Sequence, residues 1–252
     1  MHSAAGAEGS VPTSTLGRIA LVIGAFEGRS SLPLAEIMLV TQLPRSSAHR
    51  MVEGLVQMGW LSKRGRDYSL GLRLVELGST AVHQNRVHTA ASQYLYQLYR
   101  TTGMTVHLAV LDAQDIVFLD KVGGPMNGIV PTRIGGRLPA TVSALGQSLL
   151  AYNGSCESGY GLIRERGIAV EMNSVVQGFG CIASPIGPIG EADAAISICG
   201  PLHQLAFDRR MITPVRLAAA AIWRSLNGIS PTLQRRNLLQ SISTAANVRA
   251  GV

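Results

Sequence analysis

A chain of 252 residues, 46% of them hydrophobic, can fill one large domain or two smaller ones around a sizeable core. Lys and Arg outnumber Asp and Glu by 22 to 15, but residues 1–84 hold eight of the basic and six of the acidic side chains. Any affinity of that segment for a polyanion therefore rests on local placement, not on bulk charge.

Residues 1–12 are small and polar and read as a disordered tail. Ser14 or Thr15 can cap a helix running to about Phe26, with Leu16, Ile19, Ala20, Ile23 and Phe26 as its buried stripe. After a break at Glu27 to Ser31, Leu32 to Val40 reads as a short helix with Pro33 near its start, where a missing N–H costs least. Thr41-Gln42-Leu43 joins it to a second helix. On that helix Ala48, Met51, Val52, Leu55 and Gly59 fall on one side, while Ser46, His49, Arg50, Glu53 and Gln57 fall on the other. Two helices joined so tightly cross steeply, which is the helix-turn-helix arrangement. Trp60 to Lys63 and Tyr68 to Leu70 then read as two strands around a tight turn with Gly65 at its unusual dihedral, and the turn region carries Lys63, Arg64 and Arg66. Helix, turn, helix and basic hairpin make a winged helix-turn-helix.

From Gly71 a second helical pattern begins, with Leu72, Leu74, Val75, Leu77, Ala81 and Val82. Val87 to Thr102 is helical and ends at Gly103. Thr105 to Leu111 and Ile116 to Val122 are expected strands around a turn. Gly123 to Gly128 and Ile134 to Pro139 are expected loops, and Ser143 to Tyr152 reads as a helix. A further helix ends at Arg164 to Gly167, strands follow around Gly180 to Ser184 and Ala194 to Cys199, and Met211 to Leu226 closes the domain. Helices flanking one antiparallel sheet define an α+β class. Ser230-Pro231 opens an amphipathic extension.

Leu43-Pro44-Arg45-Ser46-Ser47-Ala48-His49-Arg50, followed by Leu55, Gly59 and Tyr68 to Gly71, resembles the DNA-binding half of the IclR (isocitrate lyase regulator) family of bacterial transcription factors. Arg164 to Gly167, Gly178 to Ile186 and Ala195 to Pro201 resemble its effector half, so the likeness runs from about Thr15 to Gly228. It implies a winged helix-turn-helix over residues 13–70, a linker helix over 71–87 that helps pair two DNA-binding domains, and a GAF-like α/β effector-binding domain with an antiparallel sheet over 88–228. An extension over 229–252 lies beyond the likeness. By position against the family's motifs, Ala144, Leu145, Glu171, Cys181, Ser197 and Cys199 are the expected effector-binding residues. Ala144 and Leu145 offer backbone N–H groups at a helix start, which suits a carboxylate.

The sequence also departs from the family. Gln42 stands where a turn glycine is usual, Leu39 where a polar residue is common, and Ser174 where a glutamate often precedes Gly178. The stretch at 153–163 is shorter than in relatives, which removes part of the usual pocket wall or domain edge.

Arg45 at the start of the second helix can donate two parallel hydrogen bonds to guanine, and Arg50 can do the same or clamp a phosphate. Ser46, Ser47 and His49 suit phosphate or base edges, while Lys63, Arg64 and Arg66 can reach phosphates or a minor groove. Catalytic signatures are missing: there is no G-x-S-x-G, no G-x-x-x-x-G-K-[ST], no H-E-x-x-H and no C-x-x-C. Neither an enzyme nor a cofactor or metal is expected. Three cysteines, Cys156, Cys181 and Cys199, an absent export pattern and no apolar run near the roughly 18 residues of a spanning helix lead to the expectation of a cytoplasmic protein without a membrane partner. The resulting expectation is a transcriptional regulator, a repressor or dual regulator. It binds a double-stranded DNA operator as a homodimer or a dimer of dimers, and a small organic-acid effector modulates it. The alternative is a ligand-sensing or protein-interaction module whose winged helix binds a protein. Arg64 and Arg66 at the wing tip discriminate, because protein binding has no general need of them.

Overall fold

The computed structural model describes residues 12–124, 128–154 and 158–228, and the chain divides into two compact units, one ending at Val82 and one starting at His83. Residues 1–11 of the expected tail, the 229–252 extension, Cys156 and residues 125–127 of the glycine-rich loop lie outside the described residues. Among the described residues, no helix is long and apolar enough to cross a membrane.

In the first unit, helix α1 (Thr15–Gly24) is capped by Ser14, whose Oγ accepts from the Gly17 N–H at 3.0 Å. Helices α2 (Leu34–Thr41) and α3 (Arg45–Gln57) follow, and strands β2 (Leu61–Arg64) and β3 (Asp67–Leu70) form the wing. Leu32 and Pro33 were expected to open α2, but they form strand β1 (Leu32–Pro33), which pairs with Tyr68 and Asp67 and gives the sheet order β1-β3-β2. The reason is local, because a residue before proline is pushed out of the helical region. Ala48, Met51, Val52 and Leu55 of α3 are buried against Val22, Phe26, Ile37 and Leu61, as the helical spacing requires. Gly65 (φ 62°) takes the left-handed position of the two-residue hairpin turn.

Helix α4 (Leu72–Gln84) buries none of its residues, and Leu72 and Val75 are 78% and 65% exposed. It is shorter than the 71–87 span expected. Asn85 adopts an extended conformation and its Oδ1 accepts from the Val87 and His88 N–H groups, which starts a separate helix, α5 (Arg86–Thr102). In the second unit β4 (Thr105–Asp112), β5 (Asp115–Val122), β6 (Arg137–Pro139), β7 (Ala169–Met172), β8 (Phe179–Ile186) and β9 (Ala194–Pro201) form one antiparallel sheet of order β6-β5-β4-β9-β8-β7. The 134–139 segment is thus not all loop, since its last three residues are the edge strand β6. Strand β7 is the other edge.

The two faces of this sheet differ. Val106, Leu108, Ile182, Ile196 and Ile198 pack on α5 and on α8 (Arg209–Leu226) through Leu95, Leu98, Val215 and Ile222. The opposite face carries Ala109, Ala183 and Ala195, with Ile116 and Phe118, against α6 (Ala144–Tyr152). The three alanines admit α6 closely, and Gly146 fits only because it lacks a side chain, since a Cβ there would lie 2.1 Å from the Ala140 carbonyl oxygen. Helix α7 (Gly161–Arg166) ends at the left-handed Gly167.

Gln42 holds φ 56° and ψ 22°, the left-handed conformation expected of a residue replacing the turn glycine, and its Nε2 donates to the Leu39 carbonyl at 2.7 Å. A non-glycine residue is strained there. Gln42→Gly is expected to raise the stability of the first unit by about 0.5–1 kcal/mol and Gln42→Val to lower it by a similar amount. Denaturant unfolding measures both, and equal midpoints for all three proteins would show that the turn stores no strain.

Candidate functional site

The outward face of α3 is polar, because its inward face is used up by the core. Arg45, Ser46, His49 and Arg50 are exposed and Ser47 is half-buried. At the hairpin, Arg64 ends β2 and Arg66 sits in the turn, both exposed. None of the ion pairs among the described residues involves Arg45, Arg50, Arg64 or Arg66.

Lys63 differs from the other cations of this face in having an acidic partner. Its Nζ lies 2.8 Å from Glu53 Oε1 on α3 and 5.1 Å from the centre of the Tyr68 ring, while Tyr68 Oη donates to the same carboxylate oxygen at 3.1 Å. The hydrogen bond from Lys63, then that from Tyr68, lowers the Glu53 pKa, and Glu53 in turn raises that of Lys63. Lys63 thus ties the wing to α3. His49 Nε2 also lies 4.0 Å from Glu53 Oε1.

The second unit holds a small cavity of about 30 Å³ on the α6 face of the sheet, and all six expected effector residues line it: Ala144, Leu145, Glu171, Cys181, Ser197 and Cys199. Strand register explains how residues distant in sequence meet. Glu171 lies opposite Cys181, Cys181 opposite Cys199, and Ser197 opposite both Ala183 and His107. Side chains alternate along each strand, so these residues form a polar row across β7, β8, β9 and β4. At the cavity's other side Ser143 caps α6, its Oγ accepting from the Gly146 N–H at 3.1 Å and its carbonyl from the Gln147 N–H. The remaining first-turn donors are those of Ala144 and Leu145, set where a helix favours negative charge.

Glu171 is 5% exposed and no surface charge. Its Oε1 accepts from the Ser174 and Val175 N–H groups, so a turn after β7 holds the carboxylate in place. Contact with Cys199, then burial, pushes the Cys181 thiol well above the ordinary thiol range.

Sequence reasoning missed nine of the fifteen lining residues. His107, which the sequence places only within a strand, is buried in the cavity wall, its Nε2 2.8 Å from Thr132 Oγ1 and its ring 5.3 Å from that of Phe118. Burial, and then the nearby Lys121 charge, depress its pKa from 6.5 to about 3, so the imidazole is neutral. Lys121 Nζ donates to the carbonyls of Val130 and Thr132 at 2.7 and 2.8 Å, drawing that segment over the cavity, and burial lowers its own pKa. Val130, Thr132, Leu138, Val175, Val176 and Phe179 complete the wall. The available signals were a histidine alternating with buried apolar residues on β4 and the apolar pair Val175-Val176 inside a polar turn.

The comparisons with known proteins match both units. The IclR helix-turn-helix domain matches residues 15–65, and the bacterial transcriptional regulator IclR C-terminal domain matches residues 79–160. The chain is 28% identical over 187 residues to the HTH-type transcriptional regulator XynR of Escherichia coli, covering 64% of this chain and 74% of that one. It is 27% identical over 234 residues to the glycerol operon regulatory protein of Streptomyces coelicolor, covering 79% and 90%. Among solved structures, an IclR homologue of Microbacterium hydrocarbonoxydans complexed with 4-hydroxybenzoate aligns with a TM-score of 0.73 at 27% identity, covering 85% of this chain and 100% of that one.

Neutral His107 makes the second unit sensitive to acid. Its folded pKa, about 3, lies below the ordinary 6.5, so as pH falls the unfolded chain takes up the proton first. The stability is complete above pH 6.5 and is lost between 6.5 and 3, at up to about 1.4 kcal/mol per pH unit. Urea unfolding across that window is expected to show this slope reduced in His107→Gln. Parallel pH profiles for the two proteins would exclude a buried neutral His107 as its source.

Proposed function

The chain belongs to the IclR family and is a DNA-binding transcriptional regulator, and on that premise we propose that α3 reads an operator in the major groove while a small organic acid in the cavity modulates binding. The observation that carries this reading is the cavity itself. Ala144 and Leu145 at a helix start, with Ser197, Cys181 and Cys199, line one small, largely apolar space, although they come from distant parts of the chain. Such a place suits a small carboxylate with an apolar body. The related protein crystallised with 4-hydroxybenzoate supports that ligand class.

On the DNA side Arg45 and Arg50, with Ser46, Ser47 and His49, make the base and phosphate contacts, and Arg64 and Arg66 hold phosphates or the minor groove. Lys63 supports the wing. The relatives' names speak for a regulator and not an enzyme. A homodimer would place two such faces on a two-fold operator, with the exposed apolar residues of α4 (Leu72, Val75 and Leu77) as its pairing stripe. The effector acts by its different affinity for two arrangements of the DNA-binding domains.

Fluorescence anisotropy on fragments from the gene's own neighbourhood, with random DNA as competitor, tests the reading. A site preferred by about 10³-fold or more is expected, with affinity changed by a bound organic acid. Equal binding to all fragments, with and without acids, would defeat it. Arg45→Ala is expected to weaken the preferred site by about 1–3 kcal/mol and leave random DNA little changed, whereas equal losses on both would remove its base-reading role. Arg64→Ala with Arg66→Ala is expected to lower affinity for all sequences and make its dependence on salt shallower. An unchanged salt slope would take the wing off the phosphates.

A further inference from the structure

Strand β7 is an outer strand of the sheet and pairs with β8 alone among the described strands. Next to it the Asn173 N–H donates to the Phe179 carbonyl at 2.8 Å. By alternation along an antiparallel ladder, Ala169 and Glu171 then turn their backbone groups to β8, while Val170 and Met172 turn theirs outward. The side chains of Val170 and Met172 are also exposed, at 38% and 54%. Val170 lies opposite Ile182, on the sheet face that α5 and α8 cover elsewhere, whereas Ala169 faces the α6 layer.

Beside Val170 an open groove of about 840 Å³ runs between α7, β7 and the first half of α8. Its floor is apolar, with Ile168, Phe207 and Ile212, and Leu162 stands exposed on its α7 wall. Three arginines surround it. Arg166 ends α7, while Arg209 and Arg216 lie two turns apart on one side of α8. Among the described residues none of the three has an ionic partner. Glu165 is the one acidic residue of the lining, and Asp208 beside Arg209 is taken up in capping α8. None of the groove's residues belongs to α3, to the wing or to the cavity lining.

An open sheet edge with apolar side chains beside it is a template for another strand. A second copy of this chain is opposed, because two β7 strands paired about a two-fold axis would bring both sets of arginines together. The segment 229–252 is no better matched, since it carries three arginines and no acidic residue. We propose that this surface takes an extended acidic segment of a partner protein, added to the sheet beside β7. Its backbone pairs with Val170 and Met172, its apolar side chains cover Phe207 and Ile212, and its carboxylates meet Arg166, Arg209 and Arg216. Main-chain pairing holds the segment, and the arginines choose its charge.

Fluorescence anisotropy of the full chain with a labelled short peptide repeating valine-valine-glutamate-glutamate tests this. Saturable binding is expected, at least about tenfold weaker for the same peptide with lysine in place of glutamate and for a form N-methylated along its centre, which keeps every side chain. Arg166→Glu with Arg216→Glu changes two exposed residues, and is expected to weaken the acidic peptide about tenfold or more and to strengthen the lysine one. Absence of saturation, or equal binding of acidic and lysine peptides to the wild type, overturns the proposal whatever the variant does. Undiminished binding of the N-methylated form overturns the addition of a strand. Affinity for the acidic peptide unchanged in the variant puts it on another basic surface and overturns the site. Sedimentation at the same concentrations completes the test, since self-association that the acidic peptide displaces makes a second copy the occupant and overturns the proposal.

Discussion

The arrangement of the second unit depends on the register between β8 and β9. Cys181 faces Cys199 and Ala183 faces Ser197, while the alternate pairs, Ile182 with Ile198 and Ser184 with Ile196, fall on the other face. A slip of one residue in either strand would send polar groups into the layer under α5 and α8 and isoleucines into the cavity. Burial on both faces fixes this register, because each face has its own packing partner. The small side chains of Ala109, Ala183 and Ala195 then decide how near α6 comes, and the larger groups beyond them hold it off, which opens the cavity.

The two units carry their function in different ways. In the first, the core uses one side of α3 and leaves the other as an exposed surface whose chemistry can be seen in the order of residues along one helix. In the second, the functional groups come from four strands and a helix start, and only the fold collects them. Val130 and Thr132, whose carbonyls accept from Lys121, make one wall of the cavity, so that wall is fastened to β5 and not to a neighbouring helix.

This contrast explains how far the sequence could be followed. The α3 stripe, the hairpin around Gly65 and the capping by Ser14 were legible because each is a local pattern. The left-handed Gln42 was legible because a side chain stood where the turn needs none. Strands β6 and β7 were not: one is three residues ending in proline, and the other hides Glu171 at an inward position, so the usual apolar alternation is broken. Cys181, Ser197 and Cys199 were found through family resemblance, since nothing in their own neighbourhoods separates a cavity wall from ordinary core. His107 was missed for a similar reason, because its significance comes from Thr132 and Phe118, which lie 25 and 11 positions away.

The Glu53–Lys63 pair has a consequence for how a polyanion meets this surface. It places a locally neutral patch, stiffened by Tyr68, between the Arg45 and Arg50 end of α3 and the Arg64 and Arg66 tip of the wing. The positive potential is therefore concentrated at two separate poles instead of being spread along a stripe. A uniform stripe would let a charged rod slide or rotate with little change in energy, whereas two poles of fixed separation hold it at one angle. On the proposed reading of this face as the DNA contact, an acidic residue in the middle of a basic surface thus sets the direction of approach.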